Sequence, residues 1–323
     1  MIEATLQVRV ERKVIEAEDI CSYELVSTDG APLPRFNAGS HIDVHLRPGL
    51  VRQYSLCNPP HELHRYLICV LCDAASRGGS QAMRDDIHAG MTLQISVPKN
   101  HFPLVAAKRS LLLAGGIGVT PILCMAEALS AQDATFEMHY CARSPERTAF
   151  RDRIASSSYS GQVQFHYDSG DAAQKLDLPA LLSGLDRQTH IYLCGPAGFI
   201  DHVLATARAQ DWPKDQVHLE YFGAAAATAP DAGTDQAFEV KLASSGKVYP
   251  IPAGSTVLRV LTDAGVFIPA SCEQGVCGTC LTRVLDGIPD HRDLYMTEAE
   301  REANDQFTPC CSRARSATLV LDL

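Results

Sequence analysis

The chain has 323 residues, more than one ordinary hydrophobic core needs, so two or three domains are expected. With 46% hydrophobic and 20% charged residues it reads as a folded globular protein, and a formal charge of −10 excludes nucleic acid as the main partner, since duplex binding needs clustered Lys and Arg. The opening "MIEATLQVRVERKVIEAEDI" is charged throughout, and no run of about 18 apolar residues occurs, so the reading is a cytoplasmic protein without a membrane segment.

From residue 5 to about 103, short alternating runs ("TLQVRVERKV", "HIDVHL", "RYLICVL", "TLQISV") are broken by Gly and Pro turns. That pattern predicts an antiparallel β-barrel over residues 1–103. Apolar strands then alternate with helical periods: "SLLLAG" with "PILCMAEALSA", "FEMHYCA" with "AFRDRIA", "HIYLCG" with "AGFIDHVLATARAQ". Alternation of this kind predicts a doubly wound parallel sheet over 104–226. The small, polar stretch 223–237 reads as an interdomain linker, assigned to 227–237. The last segment, 238–323, opens on two alternating runs joined at Ser245-Gly246, a hairpin signal. A helix follows, with Ser255 as its expected N-cap and Gly265 as its stop; later, Thr297 and Glu300 have capping-box spacing. Hairpin, helix, loop and final strand "ATLVLDL" make a compact α+β module of β-grasp type.

Within that module "SCEQGVCGTC" places Cys272, Cys277 and Cys280, and Cys310 follows, giving C-x4-C-x2-C-x29-C. This is the plant-type ferredoxin spacing for a [2Fe-2S] cluster, which needs four thiolates converging on one small volume. Gly275 and Gly278 allow the backbone to wrap the site closely. Zinc is the competing reading, but zinc ribbons carry two C-x2-C knuckles and only one is present. In "PCCSRA", Cys310 and Cys311 alternate inward and outward if the backbone is extended; the spacing selects Cys310 as ligand and Cys311 as packing. Of the twelve cysteines, Cys21, Cys57, Cys69, Cys72, Cys124, Cys141, Cys194 and Cys311 are scattered and read as small buried hydrophobes.

A cluster carries one electron at a time, so the rest of the chain should show a source. "LLLAGGIGVTP" runs a strand through a glycine turn into a helix beginning near Pro121, offering free amides to a pyrophosphate. It is not the G-x-G-x-x-G fingerprint. "YLCGPAGF" ends a second strand the same way, and two such turns make a ligand crevice. In the barrel, "RQYSLCN" and "SRGGSQAM" supply an arginine and a glycine turn for a phosphate, a tyrosine for a planar ring and a serine for a ring nitrogen. The twelve histidines show no ligand or triad spacing and read as mostly surface residues, with His291 in "DHRD" as a polar turn.

The order "RQYSL", "RGGS", "GGIGVTP", "CGP", "EYFG" and the ferredoxin motif resembles the phthalate dioxygenase reductase and vanillate O-demethylase reductase family across essentially the whole chain. The resemblance implies a flavin barrel, a nicotinamide domain and a C-terminal [2Fe-2S] domain. It assigns Arg52, Gln53, Tyr54 and Ser55 to the flavin, with Ser55 near the ring and Arg52 on the phosphate. Cys69, Val70 and Leu71 match the next contact strand, Gly78, Gly79 and Ser80 the phosphate turn, and Phe222 the aromatic closing the flavin pocket. Gly116, Thr120, Cys194, Gly195 and Pro196 match the nicotinamide site, with Cys194 near the reacting rings. The flavin implied is FMN rather than FAD, and the donor NADH. One departure bears on the donor: family members often carry an acidic residue after the arginine of "CARSPERTAF", where Arg143, Ser144 and Arg147 instead leave NADPH open.

Electron counting completes the reading: the nicotinamide gives a hydride, a flavin accepts the pair, and the cluster passes electrons singly outward, with no general acid or base required. The expected partner is the terminal component of a two-component Rieske oxygenase, and the expected state a monomer. A stand-alone reductase or a redox sensor is the alternative. A self-contained monooxygenase is disfavoured by the absence of paired C-x-H motifs or a recognisable 2-His-1-carboxylate spacing. From residue 235 onward 8 Lys+Arg stand against 12 Asp+Glu, which predicts salt-sensitive docking.

Overall fold

The computed structural model describes residues 5–47, 50–73, 78–222, 235–270, 273, 275, 278–293 and 295–323. The chain divides into two compact units, Met1–Phe222 and Gly223–Leu323.

The first unit begins with β1 (Thr5–Ala17), β2 (Ile20–Ser27), β3 (Ser40–Arg47), β4 (Leu50–Ser55), β5 (Tyr66–Leu71), helix α1 (Gly79–Asp86), β6 (Thr92–Ser96) and β7 (Lys99–Asn100). Its sheet runs β4-β3-β6-β1-β2-β5, with β7 on β3, and an antiparallel bridge Leu56↔Ile68 brings the two ends together. Alternation does the sorting: Val8 and Val10 of β1 and Ile42 and Val44 of β3 are fully buried.

The parallel sheet follows, with β8 (Arg109–Gly115), α2 (Val119–Ala131), β9 (Phe136–Ala142), α3 (Arg151–Ala155), β10 (Val163–Tyr167), α4 (Leu178–Ser183), β11 (Thr189–Gly195), α5 (Ala197–Ala209) and β12 (Val217–Tyr221). Strand order is β10-β9-β8-β11-β12, so the chain reverses direction of travel between β8 and β11, whose carboxyl ends adjoin. Strand β8 is apolar on both faces because both are covered. Leu111 and Leu113 pack with Ile191, Leu193 and Ile200, whereas Leu112 and Ala114 join a second core that continues into the barrel through Phe102 and Met125.

The second unit contains β13 (Phe238–Leu242), β14 (Val248–Ile251), α6 (Val257–Asp263), β15 (Thr282–Asp286), β16 (Pro289–Asp290), α7 (Glu298–Ala303), β17 (Gln306–Phe307), β18 (Arg313–Ala314) and β19 (Thr318–Leu321). Its main sheet is β14-β13-β19-β15-β17, with β13 and β19 parallel. Gly246 supplies the hairpin turn with φ 70°. The capping box forms as the spacing predicts, Glu300 N donating to Thr297 Oγ1 at 3.3 Å and Thr297 N to Glu300 Oε2 at 2.8 Å.

One expectation is corrected. The N-cap of α6 is Thr256, whose Oγ1 accepts from Arg259 N at 3.2 Å; the carbonyl of Ser255 is instead taken by the Arg313 guanidinium. Two histidines, His41 and His139, are buried exceptions to the expectation of mostly surface histidines. His139 Nδ1 lies 2.9 Å from His166 Nε2 on the neighbouring strand, and burial pushes His139 down to about 4, so this pair is neutral. Of the eight scattered cysteines, Cys57, Cys69, Cys124 and Cys194 are buried and the other four half-buried.

Candidate functional site

A cleft of about 960 Å³ opens in the first unit between the barrel and the carboxyl ends of the parallel strands. The barrel contributes Ile20, Leu71 and Cys72 to it; the sheet contributes Gly115 to Ile117 after β8, Arg143 after β9, Asp168 after β10, and Gly195 and Pro196 after β11. Open parallel sheets bind ligands at such a place, where the strand order reverses. The glycine turns are glycine because the strand ends pack together. A Cβ on Gly118 would lie 2.2 Å from the carbonyl oxygen of Cys194, and one on Gly195 3.0 Å from Gly115 Cα.

Of the nicotinamide residues implied by resemblance, Gly116, Gly195 and Pro196 line the cleft, as does Phe222, which is 39% exposed. Thr120 does not; it is buried and its Oγ1 donates to Ile117 O at 3.2 Å, closing the turn. Cys194 is fully buried behind the strand end. Arg147, left open as a phosphate ligand, pairs with Glu18 at 2.6 Å and Asp19 at 3.6 Å in the barrel. The acidic group missing after Arg143 is replaced on the cleft wall by Asp168 of the adjacent strand end, which a single-strand motif cannot reveal. Asp168 there would hydrogen-bond ribose hydroxyls and repel a 2′-phosphate.

Strand alternation splits the "RQYS" quartet. In the β3–β4 pairing His41 faces Ser55 and Asp43 faces Gln53. Gln53 Nε2 therefore lies 3.2 Å from His41 Nε2 and its side chain also bonds Asp43, whose carboxylate takes Lys99 Nζ at 2.6 Å. Gln53 is thus directed into a charged network on the other side of the strand from Arg52 and Tyr54. Burial pushes the Tyr54 hydroxyl well above its usual range, so it stays a neutral, half-exposed ring. On β5, Cys69 and Val70 are buried and only Leu71 reaches the cleft.

The start of α1 fits a phosphate. Gly78, with φ 88°, precedes the first helical turn, and Ser80 Oγ is buried with no partner among the described residues. Arg52 lies so close that a Cβ on Gly79 would stand 2.5 Å from its Cγ. Arg52, Gly79 and Ser80 are therefore the residues that would hold a flavin phosphate, and the flavin would supply the conversion from paired to single electrons. Gly79→Ala is expected to push the Arg52 side chain aside without harming the fold, and to weaken flavin retention about tenfold, or ~1.4 kcal/mol. Titrating the protein with flavin by fluorescence measures this; an unchanged affinity would separate Arg52 from the phosphate.

One residue that the motifs did not single out joins the barrel strand β4 to the parallel sheet. Glu220, the first residue of "EYFG", is paired in register with Cys194, and Ser55 Oγ donates to its Oε2 at 3.3 Å. Burial pushes the Glu220 carboxyl up to about 8, with the Ser55 bond opposing. Burial also holds the Cys194 thiol neutral. Ser55 and Cys194, both buried, and the half-buried Glu220 thus form an uncharged group of proton-bearing atoms able to hold or return one proton at Glu220 Oε2. The signal was a carboxylate inside an otherwise apolar strand end, "VHLEYF".

In the second unit, Cys280 and Cys310 are 3% and 4% exposed, whereas Cys272 and Cys277 lie outside the described residues. Hydrogen bonding with the Cys280 and Cys311 thiols, together with burial, raises the Cys310 thiol, so the two ligand candidates are brought together. Residues 309–311 form a turn, with Ser312 N bonded to Thr308 O at 2.9 Å, so the inward–outward alternation of an extended strand does not apply. Cys311 is held by Thr308 Oγ1 at 3.3 Å. Gly275 (φ 72°) and Gly278 (φ 68°) adopt the left-handed backbone that lets the loop fold back, and added Cβ atoms would lie 2.4 Å from Cys311 Sγ and 2.3 Å from the Tyr295 ring. Buried thiols under a glycine-bent loop fit an iron–sulfur cluster.

Nicotinamide-type cleft, phosphate cradle and ferredoxin loop together define an iron–sulfur flavoprotein oxidoreductase. Family models agree: residues 112–205 match the oxidoreductase NAD-binding domain and residues 240–315 the 2Fe-2S iron-sulfur cluster binding domain. The chain is 54% identical to a vanillate O-demethylase oxidoreductase of Pseudomonas putida, over 95% of this chain and 96% of that one. It is 41% identical to the phthalate dioxygenase reductase of Burkholderia cepacia, over 98% and 97% of the two chains. A solved phthalate dioxygenase reductase, described as modular and transferring electrons from pyridine nucleotides to [2Fe-2S], superposes with a TM-score of 0.77 at 41% identity, covering 99% of this chain and 98% of that one. An intact self-sufficient cytochrome P450 monooxygenase matches with a TM-score of 0.85 at 38% identity, over 99% of this chain and 41% of that one. The chain belongs to the phthalate dioxygenase reductase and vanillate O-demethylase oxidoreductase family. It is an NADH-dependent electron-transfer oxidoreductase. Among the described residues no helix is long and apolar enough to cross a membrane.

Proposed function

We propose that the protein is the cytoplasmic, monomeric reductase component of a two-component Rieske-type oxygenase acting on an aromatic acid, with vanillate as the substrate of its partner. The observation that carries this is the conjunction, in one chain, of the cleft lined by Gly116, Gly195 and Pro196 with a ferredoxin loop bearing the buried Cys280 and Cys310. Gly116, Gly195 and Pro196 would receive the nicotinamide, Arg52, Tyr54, Ser55, Gly78, Gly79 and Ser80 would hold FMN, and Cys272, Cys277, Cys280 and Cys310 would hold the cluster, which together would supply hydride acceptance and single-electron exit. The vanillate assignment rests on relatives at 52% and 54% identity that carry that name. A relative at 41% serves a tert-butanol monooxygenase, so the scaffold accepts different partners.

Reconstitution tests the reading. The isolated protein should oxidise NADH with a one-electron acceptor and demethylate nothing, while adding a vanillate-demethylating oxygenase should give NADH-dependent product. That coupled rate should fall as ionic strength rises, because the second unit is acidic. Product formed without the oxygenase, or acceptor reduction without any coupling to it, would defeat the proposal.

A further inference from the structure

The ferredoxin unit carries a charged side chain that none of its cysteine chemistry uses. Asp293, from the "DHRD" turn, has a side chain 0% exposed to solvent. Its Oδ2 accepts the backbone N–H groups of Tyr295 at 3.1 Å and Met296 at 2.7 Å, while Oδ1 is buried with no hydrogen-bond partner among the described residues. An unanswered carboxylate oxygen in a protein interior is costly, so a site that keeps one calls for a reason.

Its position supplies one. A Cβ on Gly275, midway along the loop between Cys272 and Cys277, would lie 2.9 Å from Asp293 Cα and 3.0 Å from Asp293 Cβ. Two residues further, the Tyr295 ring lies under Gly278 in the same way. Asp293 and Tyr295 thus lie beneath the two loop glycines, and Asp293 is the charged one of the two. The neighbouring charges offset it incompletely: Arg301 Nη2 stands 3.7 Å from Oδ2 and is 36% exposed, and His291 Nδ1 stands 3.9 Å from Oδ1. No cation contacts Oδ1 within hydrogen-bond distance among the described residues.

We infer that Asp293 is a positioning residue that sets the reduction potential of the cluster, its buried carboxylate holding the potential down by opposing the electron the cluster takes up. This rests on the reading that the loop carries a [2Fe-2S] cluster. Reduction adds one negative charge to a cluster already ligated by thiolates, and net charge and hydrogen bonding around the site are the levers by which a protein moves such potentials. In a medium of low effective dielectric one incompletely offset charge packed against Gly275 is a large term, and it favours handing the electron on rather than keeping it.

The test is Asp293→Asn in the full-length holoprotein. Asparagine keeps an oxygen for the Tyr295 and Met296 amides, so it removes the charge and spares the turn. Visible absorption and EPR first establish that a [2Fe-2S] cluster is present in both proteins, which checks the underlying reading separately. The cluster midpoint is then measured by redox titration. The expected result is an upward shift corresponding to about tenfold in the reduction equilibrium, or ~59 mV for one electron. An intact cluster with an unchanged or lower potential overturns the inference. Should Asp293→Asn lose the cluster, Asp293→Ser, whose hydroxyl can still accept a backbone N–H, is titrated in its place and read identically. Loss of the cluster from both variants would mark Asp293 as purely structural and also overturn it.

Discussion

A Cys310→Ala variant is expected to lose the cluster's visible absorption and to slow electron delivery to a ferredoxin-accepting partner at least ~100-fold, because three thiolates do not hold a two-iron centre. Ferricyanide reduction from NADH, drawn directly from the flavin, should stay within about twofold, since nothing in the first unit changes. Cys311→Ala should retain the cluster. The two cysteines share one turn and interacting thiols, so the pair of variants decides between neighbours that proximity alone does not separate. Retention in Cys310→Ala with loss in Cys311→Ala would reverse the assignment made from spacing.

The second large effect concerns Glu220. Its carboxyl is pushed up to about 8 from 4.5 by burial, so between those values the folded protein holds a proton that the unfolded chain has released. Stability due to this group is therefore fully present below about pH 4.5 and is lost as pH rises toward about 8, by up to ~1.4 kcal/mol per pH unit. Glu220→Gln, which cannot ionise, should lack that slope: denaturant unfolding across pH 5 to 9 should show wild type losing ground to the variant as pH rises. The same substitution removes the carboxyl to which Ser55 Oγ donates and, against the expectation that no general acid or base is required, turnover with an artificial acceptor should fall by about 100-fold. Parallel pH slopes and equal turnover would show that Glu220 is neither protonated nor used.

What was legible in the sequence was what is encoded locally. Thr297 and Glu300 belong to one helical turn, and the turns at Gly116 and Gly195 to the ends of single strands, so spacing alone carries them. Glu220 was hidden because its meaning comes from Ser55, 165 positions away, across the barrel–sheet junction. Asp168 was hidden for the same reason: the expected acid was sought on β9, and the fold supplies it from β10. Gln53 and Thr120 fell inside matching motifs, yet pairing with His41 and Asp43 draws one aside and a turn hydrogen bond occupies the other. Glycines at 275 and 278 were expected for backbone wrapping; the close approach of Asp293 and Tyr295 beneath them appears only when a distant segment is folded under the loop.

The most direct test is anaerobic rapid mixing of the complete protein with NADH, following the cluster by its absorption and by EPR of frozen samples. Reduction of the cluster by about one electron, at a rate no slower than steady-state electron delivery to a ferredoxin-accepting partner, is the predicted result. Electron delivery to that partner while the cluster stays oxidised would contradict the account.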